Sequence, residues 1–257
     1  MLKLEEISKT FGKGSINEKL ALDNLSLTAE NGDFITIIGS NGAGKSTLMN
    51  CISGVYGIDE GRILLDGKDI TRLPEYKRSK YIGRVFQDPL KGTAFDMTIE
   101  ENLAIAGSKN KRIGLQAGLT RKEREYFREK LALLDMGLEN RMKQKVKLLS
   151  GGQRQALTLF MAVIADPKLL LLDEHTAALD PGAAKKVLAL TDEFSKASGL
   201  CTLMITHNMK AALAHGNRTI LMKDGRIVMD LTGAERKSMT VERLAAQFEI
   251  ENDRMLL

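Results

Sequence analysis

The alternation of apolar and polar positions predicts β-structure in the first third of the chain. Residues 2–8 (LKLEEIS) and 20–28 (LALDNLSLT) alternate with the period of two that buries one face of a strand. A turn followed by an apolar run at 31–39 (NGDFITIIG) predicts a fully buried strand. The glycine-bounded segment 61–67 (GRILLDG) predicts another strand, and the segment 81–87 (YIGRVFQ) predicts one more. We therefore expect an antiparallel β portion at the start of the chain, followed by the first strands of a larger sheet.

The apolar period lengthens to that of a helix in the middle of the chain. Helices are predicted at 98–106 (TIEENLAIA), 120–137 (TRKEREYFREKLALLDMG) and 151–165 (GGQRQALTLFMAVIA). The first two open on a threonine followed by acidic residues, and Thr120 with Glu123 fits the capping box that closes a helix N-terminus. A helix is also predicted earlier in the chain, at 44–54, and is expected to end at Gly54.

The pattern returns to alternating strands and helices after Pro167. The predicted elements are a buried strand at 169–173, a helix at 183–197, a strand at 201–207, a hairpin at 219–231 that turns at Asp224-Gly225, and a helix at 241–249 capped by Thr240. This order predicts an α/β fold with a mostly parallel sheet and an added N-terminal antiparallel portion. We expect one domain, 1–257, with a core of 1–87 and 166–257 interrupted by an all-helical subdomain, 88–165.

Composition narrows the class of protein without identifying it. The chain has 257 residues, 43% hydrophobic and 28% charged, which is ordinary for a soluble globular protein. No apolar run reaches the length of a membrane span, and the N-terminus lacks the apolar region of a secretory signal. Cys51 and Cys201 lie in apolar patterns without metal or disulfide spacing, so buried thiols in a reducing, cytosolic compartment are expected.

The net charge of +5 is concentrated in one segment, 109–130. This segment holds eight basic residues and three acidic ones, so the rest of the chain is neutral overall. Such a patch can face nucleic acid, anionic lipid headgroups or an acidic partner. It is also typical of a solvated helix face with ion pairs between residues four apart. The sequence leaves both interpretations open, although we expect no nucleic-acid partner.

The segment GSNGAGKST, 39–47, has the spacing G-x-x-x-x-G-K-[ST] between a predicted strand and a predicted helix. The glycines allow the backbone to curl until successive N–H groups point inward at a phosphate, and the following helix adds its positive N-terminal end. Lys45 is expected to reach the β- and γ-phosphates, Ser46 to hold Mg²⁺, and Thr47 to donate to the α-phosphate. The predicted nucleotide-binding residues are Gly39, Ser40, Asn41, Gly42, Ala43, Gly44, Lys45, Ser46 and Thr47.

Two carboxylates, Asp173 and Glu174, end the apolar strand of the LLLLDE segment. Ligands gather at the carboxyl ends of parallel strands, so both are expected near the phosphate loop, which follows another such end. In P-loop ATPases the first carboxylate holds Mg²⁺, usually through water, and the next can orient and polarise the attacking water. The two motifs together predict an ATPase with ATP and Mg²⁺ as its cofactors.

The segment LSGGQRQ, 149–155, directly before a predicted helix, is the most specific motif of the chain. With it and with Gln87, Asp180 and His207 at the expected points of the order, the chain resembles the ATP-binding subunit of an ABC transporter. The resemblance covers about residues 2–231 and implies a nucleotide-binding core with a helical subdomain that carries the signature.

The resemblance also implies a mechanism. Two subunits of this family stack head to tail, with each ATP between the phosphate loop of one subunit and the LSGGQ of the other. Ser150 and the N–H groups of Gly151 and Gly152 begin a helix and form a second γ-phosphate site, to which the resemblance adds Gln153. One subunit cannot easily fold its own helical subdomain back onto its own ATP. A homodimer is therefore implied.

Residue by residue, the resemblance implies a role for each remaining position of the site. It gives Phe11 a stack under adenine, Gln87 a contact with Mg²⁺ and the water, Glu174 the catalytic carboxylate, Asp180 a cross-dimer contact, and His207 a hydrogen bond to the γ-phosphate. The predicted catalytic set is Glu174, His207, Gln87 and Lys45, and the predicted metal ligands are Ser46, Gln87 and Asp173. An aromatic side chain that packs a hairpin is the alternative interpretation of Phe11.

The sequence predicts the rest of the transport system in less detail than the nucleotide site. A separate membrane permease is expected, which would hold the subunit at the cytoplasmic face of the membrane. The permease would contact 88–106, where Leu90, Phe95 and Met97 are candidate groove residues, although Met97 and Ile99 fit a core role equally well. An importer that also uses an extracytoplasmic solute-binding protein is favoured. An exporter or lipid-handling system is the alternative, followed by a soluble ABC ATPase that acts on nucleic acid or ribosomes.

The histidine after the acid pair is unusual. Most relatives have proline or alanine where this chain has His175, and DEHTAALDP resembles one subfamily encoded beside permeases similar to those for branched-chain amino acids. The cargo of that subfamily is typically an amino acid such as tryptophan. For His175 the interpretations are a structural role, or an influence on the pKa of Glu174 or on the dimer seam.

Overall fold

The computed structural model describes residues 1–108 and 119–253, so the predicted basic segment lies partly outside the described residues. The strands are β1 (Leu2–Phe11), β2 (Lys19–Ala29), β3 (Phe34–Gly39), β4 (Glu60–Leu65), β5 (Lys68–Asp69), β6 (Ile82–Val85), β7 (Leu169–Asp173), β8 (Cys201–Ile205), β9 (Arg218–Lys223) and β10 (Arg226–Thr232). The helices are α1 (Lys45–Ser53), α2 (Glu75–Arg78), α3 (Ile99–Gly107), α4 (Arg121–Ala132), α5 (Gly151–Val163), α6 (Pro181–Ala197), α7 (Met209–Ala214), α8 (Gly233–Ser238) and α9 (Val241–Asp253).

The strands form two sheets, and together they confirm the predicted fold class. One sheet has the order β2-β1-β4-β5 and is antiparallel. The other has the order β10-β9-β3-β8-β7-β6, in which every pairing is parallel except that of β10 with β9. The chain leaves the large sheet after β6 and returns to it at β7, and α3, α4 and α5 lie in between.

Most predicted elements are present, and their limits differ for local reasons. The helix expected to continue to 137 ends at Ala132, because Asp135 and Gly137 adopt left-handed backbone conformations. The helix expected from 183 begins at Pro181, because Asp180 accepts a hydrogen bond from Ala183 N–H and proline is favourable at the first helical position. The short elements β5, α2, α7 and α8 were not predicted.

Strand β7 shows why a run of leucines is needed at the centre of the sheet. Leu169 and Leu171 join the core that contains β1, β2 and α1, whereas Leu170 and Leu172 join the core that contains α3, α4 and α5. Alternate side chains of a strand point to opposite faces, and both faces of β7 are covered. The strand therefore contributes to two hydrophobic cores at once.

The carboxyl ends of three neighbouring parallel strands meet at one edge of the large sheet. Ile205 at the end of β8 pairs with Ile37 of β3 on one side and with Asp173 of β7 on the other. The loop after β3, the residues after β7 and the residues after β8 consequently lie side by side. Elsewhere, Cys51 and Cys201 are buried and free, as predicted, and no helix in the described part of the chain is long and apolar enough to cross a bilayer.

Candidate active site

The loop between β3 and α1 has the backbone shape of an anion cradle. Gly42 and Gly44 adopt φ values of 88° and 97°, in the left-handed region. A Cβ on Gly44 would lie 2.5 Å from the carbonyl oxygen of Ala21, so a side chain at this position would clash with β2. The first residue of α1 is Lys45, and no side chain caps the helix. The N–H groups at its start are therefore available to an outside acceptor.

Lys45 lies across this loop and is only 6% exposed. Its ammonium group donates hydrogen bonds of 2.8 Å to the carbonyl oxygens of both Gly39 and Ser40. Burial lowers the pKa of Lys45, while the nearby carboxylates of Glu174 and Asp173 act in the opposite direction. A cation held at the mouth of the loop is suited to meet a phosphate.

A cavity of about 230 Å³ lies against the phosphate loop. It brings together two residues that are far apart in the sequence, Phe11 from the end of β1 and Glu174 from the end of β7. The other lining residues are Lys19, Ala21, Asn41, Gly42, Gly44, Lys45, Ser46 and Thr47. Phe11 also contacts Tyr56 edge to face, with ring centroids 5.2 Å apart. It is therefore placed both for the predicted adenine stack and for local aromatic packing.

Asp173 at the end of β7 lies close enough to Ser46 of the phosphate loop for the two side chains to interact. Burial raises the pKa of Asp173, and Arg84 on β6 opposes this shift with a guanidinium nitrogen 4.0 Å from the carboxylate. One hydroxyl and one carboxylate, with space for phosphate oxygens beside them, form a donor set that suits Mg²⁺. The residues present therefore fit a magnesium ion bound jointly by protein and nucleotide.

Arg84 is a residue of the site that the sequence motifs did not predict. Its guanidinium donates to Ser53 Oγ at 3.0 Å and to Asn50 Oδ1 at 2.8 Å, both near the end of α1, and it stacks on the ring of Phe86. Through these contacts it links α1 to Asp173. The signal available in the sequence was a charged residue inside the otherwise apolar strand β6.

Glu174 and His207 form the closest side-chain pair of the site. Nε2 of His207 lies 2.5 Å from Oε1 of Glu174, and 15% of the Glu174 side chain is exposed against 46% of His207. His207 lies two residues after the end of β8, and Glu174 lies one residue after the end of β7, so the pair joins the ends of two neighbouring strands. A carboxylate this close to the phosphate-loop cavity is placed to orient a water molecule.

Gln87 is exposed and follows β6 by two residues. It lines a cavity of about 600 Å³ in which Asp173 and Arg84 also take part. The structure thus brings Gln87 near the predicted metal ligand Asp173, but in a cavity next to the one that contains Lys45 and Ser46.

The signature segment caps the N-terminus of its own helix, α5. Ser150 Oγ accepts a hydrogen bond from Gln153 N–H at 3.3 Å, and the Gln153 side chain accepts one from Ser150 N–H at 3.2 Å. This is a complete capping box at the start of α5, where Gly151 and Gly152 are the first two residues. Among the described residues, none of those that line the phosphate-loop cavity comes from this segment.

Two further predicted positions lie between the acid pair and α6. Asp180 caps α6 through its hydrogen bond of 3.0 Å from Ala183 N–H. His175 is 2% exposed, and its Nε2 lies 3.2 Å from Thr191 Oγ1 on α6. Burial lowers the pKa of His175 to about 4, and His215 adds to this shift. Because the ring is buried, the geometry favours a structural role for His175 over a role at the surface where two subunits would meet.

The phosphate loop, the acid pair and the pair of Glu174 with His207 define a nucleotide-hydrolysing site of the P-loop class. The chain matches the family model described as "ABC transporter" over residues 22–177. A protein of Clostridioides difficile (strain R20291), named as a tyrosine transport ATP-binding protein, is 45% identical over 251 residues, which is 97% of this chain and 99% of that protein. The chain therefore belongs to the ABC transporter family.

More distant relatives and solved structures agree. The methionine import ATP-binding protein MetN of Rhizobium johnstonii is 37% identical over 89% of this chain, which spans 60% of that protein's length. The ADP conformation of the ATP-binding cassette MJ1267 has a TM-score of 0.80 at 30% identity, covering 97% of this chain and 98% of the cassette. A dimeric post-hydrolysis state of the cassette MJ0796, bound to ADP and Pi, has a TM-score of 0.75 at 29% identity, covering 90% and 98%.

These similarities give the class of activity. The chain is an ATP-binding and ATP-hydrolysing subunit that powers transport. A membrane permease as partner and pairing of two cassettes are the arrangement that such subunits imply.

Proposed function

We propose that this chain drives the import of an amino acid or a related small solute through its permease, from the cytoplasmic face of the membrane. The main support is the 45% identity, over nearly the full length of both chains, to a protein named for tyrosine transport. The DEHTAALDP segment adds an independent indication, because its resemblance is to a subfamily associated with amino-acid cargo. A solute-binding protein outside the cytoplasm would deliver the cargo to the permease.

In this proposal the phosphates of ATP bind at the start of α1. The N–H groups of the loop from Gly39 to Thr47 surround them, and Lys45 exchanges the two carbonyl oxygens it now contacts for phosphate oxygens. Phe11 lines the same cavity and would stack on the adenine. Magnesium, when bound between Ser46, Asp173, Gln87 and the nucleotide, would neutralise phosphate charge.

Glu174 acts as the general base in this proposal. Its carboxylate accepts a hydrogen bond from His207, which fixes its direction towards the phosphate-loop cavity. A water molecule held by Glu174 would attack the γ-phosphate, and His207 would then be free to donate to that phosphate instead. The exposure of the His207 side chain, 46%, is consistent with a partner that arrives with the nucleotide.

The second half of each nucleotide site comes from a partner subunit in this proposal. Ser150, Gly151, Gly152 and Gln153 would meet the γ-phosphate bound by the other subunit, with Asp180 beside them. The support is that these residues begin α5 in the segment 88–165, the proposed helical subdomain, while the phosphate loop lies in the proposed core, 1–87 and 166–257. A head-to-tail homodimer would bring the two into contact.

The permease is proposed to dock on 88–106. Leu90, Phe95 and Met97 are exposed there, with 46%, 39% and 36% of each residue accessible. Ile99, by contrast, is fully buried, so the core interpretation holds for Ile99 but not for Met97. The cavity of about 600 Å³ next to this segment has the aromatic side chains of Tyr56 and Phe86 in its lining, together with charged residues of both signs such as Lys91 and Asp88.

The contact of Glu174 with His207 at the phosphate loop carries the assignment of hydrolysis, and Glu174→Gln tests it. The amide retains the shape of the side chain but cannot accept the proton of water. We expect hydrolysis to be nearly abolished while ATP binding remains, and an ATP-bound dimer to accumulate in size-exclusion chromatography. Hydrolysis at the wild-type rate would refute the role of Glu174.

The direction and cargo of transport need a separate experiment. The chain would be co-purified with its permease, reconstituted into vesicles, and supplied with ATP on the side of the subunit. Uptake of tyrosine, tryptophan, methionine and leucine would be followed with the solute-binding protein present and absent. ATP-driven movement of an amino acid towards the side of the ATPase supports import. Movement away from it, or of lipid alone, would favour the exporter alternative.

A further inference from the structure

The backbone at Glu174 is held in a conformation that side chains disfavour. Its φ is 46°, in the left-handed region, where a Cβ meets the adjacent carbonyl oxygen. Its N–H donates to the carbonyl oxygen of Ile205 at 3.1 Å, and its own carbonyl oxygen accepts from Ala177 N–H at 3.0 Å. A residue remains in this region only where the surrounding structure fixes it. The position of the Glu174 carboxylate therefore depends on what holds its neighbours.

His175 joins this segment to α6. Its ring is buried, and Nε2 lies 3.2 Å from the hydroxyl oxygen of Thr191. The Thr191 hydroxyl has one proton, which it donates to the carbonyl oxygen of Val187 at 2.9 Å. The imidazole must consequently be the donor, with its proton on Nε2. The residue directly after Glu174 is thereby anchored to a seventeen-residue helix, α6.

We propose that His175 is a positioning residue for ATP hydrolysis, which holds Glu174 in its left-handed conformation through the hydrogen bond to Thr191. This inference rests on the proposed role of Glu174 as the general base. His175 acts through the backbone of its neighbour, because an anchored residue 175 restricts the rotation of the peptide that follows Glu174. The tether keeps the carboxylate directed at His207 and at the phosphate-loop cavity. A displacement of about 1 Å at such a group can lower a rate on the order of a hundredfold.

Thr191→Val tests the tether without touching the segment itself, since valine has the shape of threonine without its hydroxyl. With the full chain, we expect kcat for ATP hydrolysis to fall about tenfold or more, within the range that misplacement of a reacting group produces. The KM for ATP should change less than about twofold, because the phosphate loop is intact. Thr191→Ser retains the hydroxyl and should restore kcat. His175→Leu removes the donor from the other side and provides an independent variant.

Ser195→Ala is the matched control. Ser195 also lies on α6, and its buried hydroxyl is 3.1 Å from that of Thr202 on β8, away from the acid pair. Its loss should lower the thermal unfolding temperature about as much as Thr191→Val does and leave kcat within about twofold of the wild type. Equal losses of kcat in both variants would mean that the hydroxyl of Thr191 has only a structural role.

The double variant His175→Leu, Thr191→Val completes the test. If both residues act through one hydrogen bond, the double variant should be no slower than the slower single variant. Fully multiplicative losses, or a kcat within twofold of the wild type in folded Thr191→Val, would overturn the proposal. Glu174→Gln, measured alongside, separates the two ideas. If it is active, the proposed base is wrong; if it is inactive while Thr191→Val is fast, only the role of His175 fails.

Discussion

The helices α1 and α5 begin in opposite ways, although both are proposed to meet the phosphates of ATP. At α1 the residue before the helix is Gly44, left-handed and without a side-chain cap, so the first N–H groups have no partner from a capping side chain. At α5 the capping box satisfies the N–H groups of Ser150 and Gln153 from within the helix and leaves those of Gly151 and Gly152 to other acceptors. Helix N-termini have four N–H groups without intrahelical partners, and these need acceptors from elsewhere. The start of α1 is thus open to its ligand, whereas the start of α5 is partly capped, with only the N–H groups of Gly151 and Gly152 left for a phosphate.

This difference suggests an order of binding. At the open start of α1, ATP must draw Lys45 away from two carbonyl oxygens, but it displaces no capping side chain. At α5 a γ-phosphate can accept from Gly151 and Gly152 N–H, but it must compete with the Ser150 hydroxyl for Gln153 N–H. The partly capped start of α5 should therefore bind a phosphate tightly only when a partner subunit presents it in a fixed position.

The largest effect is expected at the open start, from Gly44→Ala. The methyl group would meet the carbonyl oxygen of Ala21 at 2.5 Å, and alanine also disfavours the φ of 97°. We expect ATP affinity to fall roughly a hundredfold or more, measured by displacement of a fluorescent ATP analogue. Gly42→Ala is the control for the clash, because it shares the backbone strain of a left-handed φ, 88°, while its Cβ meets only the flexible end of Lys19 at 3.5 Å. Equal affinities of the two variants would show that the loop does not need this close approach.

The next largest effect is expected at the partly capped start of α5, where the adjacent glycines Gly151 and Gly152 face different neighbours. A Cβ on Gly152 would lie 2.7 Å from Cβ of Ala183 on α6, whereas one on Gly151 would meet Leu179 at an ordinary 3.5 Å. Gly152→Ala should lower the free energy of unfolding by about 1–3 kcal/mol through overpacking. Gly151→Ala should have no destabilising effect, since alanine favours a helix. Urea denaturation without nucleotide compares them, and a stable Gly152→Ala protein would contradict this packing.

A smaller effect is expected from the cap itself. Ser150→Ala removes the acceptor of Gln153 N–H and should cost about 1 kcal/mol of stability in the absence of nucleotide. Ser150→Asp retains an acceptor and should be nearly as stable as the wild type. No change on Ser150→Ala would indicate that water satisfies the start of α5 equally well, and the contrast with α1 would then be lost.

The last experiment tests whether α1, whose N-terminus has no side-chain cap, opens often enough to expose its buried residues. Burial raises the pKa of Cys51, on this helix, to about 11, and that of Cys201, on β8, to about 12. Thiolate is the reactive form, so folded protein at pH 8 should resist thiol labelling, and labelling should accelerate as the pH rises. In a Cys201→Ala background, Cys51 should react at least about a hundredfold more slowly than in urea. Fast labelling at pH 8 would show that α1 opens.

Much of this protein could be predicted from its sequence because its signals are local. The pattern of apolar residues located β7 and α5, and the glycine spacing located the phosphate loop. Each of these signals depends only on residues that are close together in the sequence. The C-terminal end of α4 was predicted too late, because the residue type of Asp135 does not reveal that its backbone is left-handed. The sequence also could not show that Met97 is exposed while Ile99 is buried, because this difference depends on how α3 packs.

The contacts that hold the site together were harder to predict because they are tertiary. Arg84 reaches both α1 and Asp173, and His175 reaches Thr191 across a segment that carries no periodic signal. The histidine could be noticed as unusual, but its partner could not be identified before α6 was placed beside it. Side chains that fix a catalytic backbone have no spacing rule, whereas loops that bind phosphate through glycine do.

The double-sided burial of β7 also predicts a pattern of tolerated variation. In a saturation mutagenesis screen for growth on the transported solute, Leu169 to Leu172 should form an unbroken block of intolerant positions, because every one of them lies in a core. The edge strand β10 should instead alternate, since exposed residues such as Arg226 and Val228 lie between less exposed ones. Sequence drift among relatives should accordingly be slowest in the strand that leads into the acid pair.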